Sequence, residues 1–363
     1  MAAVLKILSP GILASLQDEG RQGYAGFGVP RSGAADSLSL QLGNALVGNT
    51  PFETAIEFRF LGPKVIAEGG RIRLGLAGDV TAEHKFADSG ESIAIKPWQS
   101  LTLDDGDVLA VDPLKDGATG YLTVEGGFDL APVLDSCSTY ARARLGGVNG
   151  LPLQAGDKIQ TKQLHPQDGL ERIVSDPIST LTKTIRVLAG PQDDYFSEVE
   201  ISKFIGGHYK VSSDVDRMGI RLEGPELEPL PEKGSDLISD GIVPGAIQVP
   251  GSGQPIILFV DCQTIGGYPK IGVVITSDLP LLGQLVPGNE ICFQLVSLEE
   301  AQAARKARKS ELERAISSIQ DYFGEGVMDL KALYEVNLIG GVVNASLTGH
   351  FPGHLEGGTN EKN

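Results

Sequence analysis

Cysteine is scarce in this 363-residue chain: Cys137, Cys262 and Cys292 are widely separated and form no CxxC pair. That argues against a disulfide framework and against a zinc site, and fits a reducing compartment. Positive charge is also short, with 30 Lys and Arg against 47 Asp and Glu, a formal net charge of −17. Such a surface repels phosphate backbones and anionic lipid heads, so neither a nucleic-acid nor a membrane partner is expected. No run approaches the ~20 apolar residues needed to cross a bilayer. The N-terminal stretch is broken by Lys6, Pro10 and Gly11, unlike the apolar core of a signal peptide, and a cytoplasmic protein is expected.

Chemistry-bearing motifs are missing too. There is no GxxxxGK[ST] for nucleotide phosphates, no GxGxxG between a strand and a helix, no HExxH and no GxSxG. The five histidines are scattered; His350 and His354 have i,i+4 spacing but flank Pro352 and Gly353, which break a helix, so no metal site is expected. No lysine sits in an Ala-Met-Lys-Met setting, so the chain is not expected to carry biotin itself.

What is abundant is turn chemistry. The sequence has 47 Gly and 21 Pro without periodicity, beside 41% apolar residues, which favours a turn-rich, mainly β protein. Residues 71–76 alternate polar and apolar as a half-buried strand does, and 108–111, 121–124 and 256–260 are apolar runs of strand length. One early helix is predicted over 37–47, with Asp36 as its N-cap. A second is predicted after residue 297, where Ser297 and Glu300 form a capping box and Leu312, Ile316, Ile319 and Phe323 recur at helical spacing until Gly324.

The order of motifs repeats along the chain. DxxRxG occurs at Asp18, Arg21 and Gly23 and again at Asp214, Arg217 and Gly219. An apolar strand leads to Gly-Gly-aromatic at Gly126-Gly127-Phe128 and at Gly266-Gly267-Tyr268, and turns of similar type follow over 153–159 and 285–291. Turn chemistry recurs by chance, but three matches in one order indicate duplication. Two similar β domains are expected, over 1–175 and 176–298, followed by a helix and loose tail over 299–363.

Candidate site residues concentrate in the second copy. In a strand, Arg217, Gly219 and Arg221 would share one face while Met218, Ile220 and Leu222 face the core. Two guanidinium groups so placed could clamp an anionic oxygen, with Asp216 beside them; a structural Arg–Asp network between the domains explains the same residues. Gln248, Gln254 and Gln263 bring amides near strand ends. Gly266 and Gly267 permit close backbone approach, Tyr268 could hydrogen-bond or stack, and Lys270 could neutralise charge. A glycine-rich hairpin with polar turn residues is the alternative. Asp18, Arg21 and Asn49 in the first copy are secondary candidates.

Many separated segments also share a fixed order with a known family. Residues 16–24, Gly28-Val29-Pro30, 33–36, 44–49, Ser138-Thr139, Leu145-Gly146-Gly147, Gly190-Pro191-Gln192, Asp216-Arg217-Met218-Gly219, Ser239-Asp240-Gly241 and 263–268 resemble the allophanate hydrolase subunit 2, or biotin-dependent carboxyltransferase-like, family over about residues 4–300. The resemblance implies two cyclophilin-like β-barrels in tandem. It also implies a subunit of an ATP-dependent 5-oxoprolinase, working with a small cyclophilin-like subunit of the B type and a third subunit of the A type. No cofactor is then bound by this chain alone, and ATP is used by the complex. The family also contains carboxyltransferase portions of urea carboxylases, for which biotin would be the cofactor, and non-enzymatic antagonists of a histidine-kinase inhibitor. Asp216, Arg217, Arg221, Gln248, Gln263 and Tyr268 carry over as candidates. Cys137 and Cys262 stand where relatives often have a basic residue, which bears on the substrate more than on the fold.

Overall fold

Alternation and turn chemistry divide residues 2–163 and 165–323, which the computed structural model describes, into short strands around two main apolar cores. His350, His354 and Gly324 lie outside the described residues. In the first half, Val4–Ser9, Lys64–Glu68, Ala82–Lys85, Ser92–Ile95, Val108–Val111 and Lys158–Gln160 form a six-stranded sheet. Ser15–Gln17, Ala55–Arg59, Ile72–Ala77, Gln99–Leu103, Thr119–Val124 and Glu171–Val174 belong to a seven-stranded one. Leu5, Ile7, Leu16, Phe58, Leu74, Leu76, Leu109 and Leu122 fill the core they share.

Ala55–Arg59 and Thr119–Val124 are buried at every residue: the helix Ser37–Leu46 packs on the second strand, with Leu40 against Ala55 and Tyr121, and the second half of the chain covers Glu57, Arg59 and Thr119. Asp36 caps that helix as expected, its carboxylate accepting from the N–H groups of Leu38 and Ser39. Gly43 lets the helix lie close, since a Cβ there would stand 2.7 Å from Ala77 Cβ.

The second half closes on itself. Thr184–Ala189, Lys270–Val274, Ala246–Gln248, Ile256–Leu258, Gly219–Glu223, His208–Val215 and Glu290–Leu295 form a closed barrel in that order. A parallel pairing of Thr184–Val187 with Cys292–Leu295 seals it. Ile185, Val187, Tyr209, Val211, Ile220, Leu222, Ile247, Ile257 and Phe293 are its core. A separate two-stranded ribbon, Asp240–Gly241 against Ile265–Gly266, lies outside this wall.

The chain then returns to the first half. The helix Leu298–Ser317 begins with the expected capping box, and its Ala315 packs with Leu38, Leu42 and Leu46. The predicted helix does not reach Phe323. It stops at Ser317, and Ile319–Tyr322 becomes a strand that pairs with Glu171–Val174 and completes the seven-stranded sheet. Ile316, assigned to the packed stripe, is 37% exposed.

The repeats differ in how closely the backbone follows them. The last pair matches: Gly156 and Gly288 both have positive φ, of 95° and 92°, and Asp157 and Asn289 accept from the N–H groups of Gln154 and Val286. The first pair is offset by two residues. Asp18 accepts from the N–H of Gly20, while in the second copy Asp216, not Asp214, accepts from Met218 N–H. Gly126 and Gly127 are left-handed at φ 76° and 81°, whereas Gly266 lies in the extended ribbon. All three cysteines are free, and no helix among the described residues is long and apolar enough to cross a membrane.

Candidate functional site

The seam between the halves is built from charge. Glu57, on a strand buried throughout, is 1% exposed. It accepts from Arg217, from Ala35 N–H at 2.8 Å and from Tyr121 hydroxyl at 2.7 Å. Arg217 also donates bidentately to Asp261, at 2.8 and 3.1 Å, and to the Gly33 carbonyl at 2.7 Å. Burial works against the Arg217 charge, but Asp261 and Glu57 outweigh it and hold its pKa well above the ordinary value. Further along the seam Gln284 donates to Asp36 at 2.7 Å and accepts from the N–H groups of Ala118 and Thr119. Burial raises the pKa of Asp36 against the hydrogen bonds that favour its charged form.

Beside this network lies a cavity of about 210 Å³ lined by Gln17, Thr139, Tyr140, Arg142, Asp216, Arg217 and Asp261, among others. Two of the residues that line it, Gln17 and Thr139, carry buried polar atoms with no partner among the described residues. Gln17 is 0% exposed, and while its Nε2 donates to Ser15 and the Thr139 carbonyl, its Oε1 has no partner. Thr139 Oγ1 is likewise unpartnered. Nearby Arg21 is 2% exposed and donates through Nη2 to the Ser138 carbonyl at 2.7 Å, while Nε and Nη1 have no partner among the described residues. Burial lowers the Arg21 pKa, partly offset by the fields of Asp18 and Asp261, yet a guanidinium stays charged. Each such buried group costs about 1–3 kcal/mol if nothing meets it. The space far exceeds the ~30 Å³ that one water occupies in the liquid.

The loop carrying Thr139 and Tyr140 is held in place from below. Asp18 accepts from Ser136 hydroxyl at 2.6 Å, Cys137 N–H at 2.6 Å and Ser138 hydroxyl. Leu134, Asp135, Arg144 and Asn149 in this loop adopt positive φ between 53° and 60°, strain of the kind that clusters at ligand sites. Tyr140 has a raised pKa from burial and from the Asp261 charge.

The candidates named from sequence fall into separate places. Asp216 and Arg217 line the seam cavity, with Asp18 and Arg21 next to it. Arg221 does not join Arg217 in a clamp: Arg217 sits in the turn before the strand, and alternation begins only at Gly219. Arg221 lies on the outer face, its side chain 57% exposed and paired with Asp214. Met218 lines the cavity and is only partly buried, not a core residue. Gln248, Gly266, Gly267, Tyr268 and Lys270 gather at the other end of the strand Ile256–Leu258, where Gln248 registers with Ile256. Lys270 is 2% exposed and donates to Asp240 at 2.8 Å. Gln254 brackets Gly224 through both its N–H and its carbonyl, and Gln263 is exposed. Asn49 ties Asn44, Val124 and Gly126 together beside a second cavity of about 460 Å³.

Thr139, Tyr140, Arg142 and Gln284 were not singled out as site or seam residues by the sequence. For Gln284 a signal existed, a lone amide in the apolar run 279–286.

The sequence matches the family described as Carboxyltransferase domain, subdomain A and B, over residues 27–295. It is 37% identical to the C-type subunit of 5-oxoprolinase from Haemophilus influenzae, over 85% of this chain and 96% of that protein. With the Escherichia coli protein of the same name the identity is 33%, over 86% and 97%. Urea amidolyase of Lachancea kluyveri is 30% identical over 87% of this chain, which spans 18% of that protein. The crystal structure of the K. lactis urea amidolyase superposes with a TM-score of 0.77 at 29% identity, covering 86% of this chain and 20% of that one. This chain therefore belongs to the carboxyltransferase family defined by subdomains A and B.

Proposed function

We infer that this chain is the C-type subunit of an ATP-dependent 5-oxoprolinase and that its seam cavity receives the cyclic amide. The carrying observation is the set of buried groups at the seam with no partner among the described residues: the acceptor Gln17 Oε1, the donors Arg21 Nε and Nη1, and the Thr139 hydroxyl, which can donate or accept. 5-Oxoproline has the complementary set, with one ring N–H to donate and a lactam oxygen and a carboxylate to accept. Urea has two NH₂ groups and one oxygen, which this donor-rich set matches poorly. The two bacterial 5-oxoprolinase relatives align with this chain over nearly their whole length.

On this reading Arg21 and Thr139 hold oxygens whose charge grows as the lactam is activated, and Gln17 fixes the ring nitrogen. Arg217 is a positioning residue, clasping the two walls through Glu57 and Asp261. ATP is consumed by the complex, with a B-type and an A-type subunit as partners. The second reading, carboxyl transfer from carboxybiotin to urea or another amide, is favoured by the urea amidolyase relatives and requires a biotin carrier supplied by other chains.

The test is reconstitution from the three subunits with glutamate release measured. Omitting this chain abolishes release; undiminished release refutes the assignment. T139V and R21K each remove a charge-assisted or hydroxyl donor at about 1–3 kcal/mol, which is roughly 5–150-fold in kcat/KM. Unchanged kinetics in both would refute the seam as the binding place.

A further inference from the structure

We propose that Lys270 and Gln192 form a second anion seat, for a small carboxylate, and that Asp240 occupies this seat as a built-in placeholder. The seat is independent of the seam cavity.

Lys270 and Gln248 register with each other on neighbouring strands. Their neighbours Ile271 and Ile247 point into the barrel core, so the two polar side chains lie on the outer face of the wall. There they are not in water. The ribbon Asp240–Gly241/Ile265–Gly266 roofs them, and Lys270 and Gln248 are each 2% exposed. The roof is fitted to what it covers: a Cβ on Gly266 would lie 2.7 Å from Gln248 Nε2.

The ammonium donates to Asp240 Oδ2 at 2.8 Å, and the same oxygen accepts from Gln192 Nε2 at 3.1 Å. Gln192 is itself aligned by accepting from Lys270 N–H at 3.3 Å. The pair is lopsided. The Lys270 side chain is 3% exposed and that of Asp240 51%. Asp240 is held below the usual carboxylate range mainly by its hydrogen bond from Lys270.

A buried ammonium under a ribbon is poor structural economy, because an apolar side chain of similar volume would cover the same wall without desolvating a charge. The roof is also slight. Two paired residues on each side join it, with one further backbone bond at each end, Leu237 to Gly267 and Ile242 to Thr264, and Ile242 is its one buried apolar anchor; such a short ribbon is marginal by itself. Its flanks are apolar yet exposed, with Ile238 at 93%, Val243 at 56% and Ile265 at 62%. Ribbon opening withdraws Asp240 and leaves two converging N–H donors, from Lys270 and Gln192, with the geometry of a carboxylate already imprinted on them. A free carboxylate exchanges for the Asp240 carboxylate with no change in the charge count.

The experiment uses the full-length chain, with L-glutamate as the probe and calorimetric titration as the readout. D240N leaves a neutral placeholder that competes weakly for the ammonium, so glutamate binds at least tenfold more tightly than to wild type, and D240N/K270Q loses this gain. Deuterium exchange of wild type gives a variant-independent check: saturating glutamate speeds exchange at the amides of Gly241, on the ribbon and bonded to Asp240 Oδ1, and of Ile242, which follows it and donates to the Thr264 carbonyl. The R21K/D240N variant separates the two sites, because it retains the gain if the seat is at Lys270. Equal affinity in D240N and wild type, or a gain that vanishes with R21K and survives K270Q, overturns the proposal. So does ribbon exchange that slows or stays unchanged.

Discussion

Replacing Arg217 by Ala is the sharpest probe of the seam. In the native chain its guanidinium satisfies Glu57, 1% exposed, and Asp261, 8% exposed. After truncation both carboxylates remain buried and face each other's field. Glu57 keeps its bonds from Ala35 and Tyr121, and the fields of Arg59 and Arg21 reach Glu57 and Asp261 respectively, so part of the charge stays compensated. Breaking a buried pair from one side costs about 3–5 kcal/mol, and this loss is expected in urea unfolding analysed by linear extrapolation. Following both far-UV dichroism and the fluorescence of Trp98, the single tryptophan, reports the whole chain and the first half separately. The sign of a second substitution makes the test strict. D261N destabilises the wild type by spoiling a bidentate bond, yet it stabilises R217A by removing an orphaned charge. A cost for R217A below about 1 kcal/mol, or equal effects of D261N in both backgrounds, would show that the network does not carry the seam as argued.

Asp107 supplies the pH test. Burial disfavours its charge, but the N–H groups of Ala87 and Asp104 and the ring of His84 outweigh that and lower its pKa below the ordinary 3.8. Its contribution is therefore full above pH 3.8 and is lost as pH falls through the folded value; D107N should flatten that part of the acid limb in a stability-versus-pH series. At Gly190 a Cβ would lie 1.9 Å from the Lys270 carbonyl, so G190A should lose about 1–3 kcal/mol or more to overpacking, read by thermal unfolding. S297A removes one half of the capping box and should cost about 1 kcal/mol, with a loss of helical dichroism at 222 nm limited to the last helix.

Local rules made the sequence legible wherever the cause was local. Asp36 and Ser297 are caps because a short acceptor precedes an amphipathic run, and both appear as such. The turns ending in Gly156 and Gly288 are alike because each joins a left-handed glycine to an Asp or Asn that folds back on the chain. What was illegible depends on distant partners. Ile319–Tyr322 keeps helical spacing in sequence, but the free edge of Glu171–Val174 captures it as a strand. Arg217 and Arg221 look equivalent at spacing four, yet a turn separates them and their partners lie in different halves of the chain for one and on an adjacent hairpin arm for the other. Of three glutamines read as a group, only Gln248 is buried against the candidate seat, while Gln254 brackets a turn. No pattern in one copy predicts that the unpartnered donors of the seam belong to the first half.

The distribution of charge explains how an acidic protein can hold an anion. The net charge of −17 is spread over a surface whose field is screened beyond about 8 Å at physiological salt. The buried cations act inside that distance. Arg21, Arg59 and Lys270 are each 2% exposed, and low local polarisability strengthens their fields relative to those of surface carboxylates. Arg217 differs from Arg21 in being spent on two carboxylates of its own. The same chemistry thus serves two ends: where each guanidinium nitrogen has a partner, as at Arg217, it fixes the register of two halves; where two nitrogens have none among the described residues, as at Arg21, it leaves room for a guest. The distinction lies in the partner count of each guanidinium rather than in residue type, and that is why it emerges only once the halves are docked.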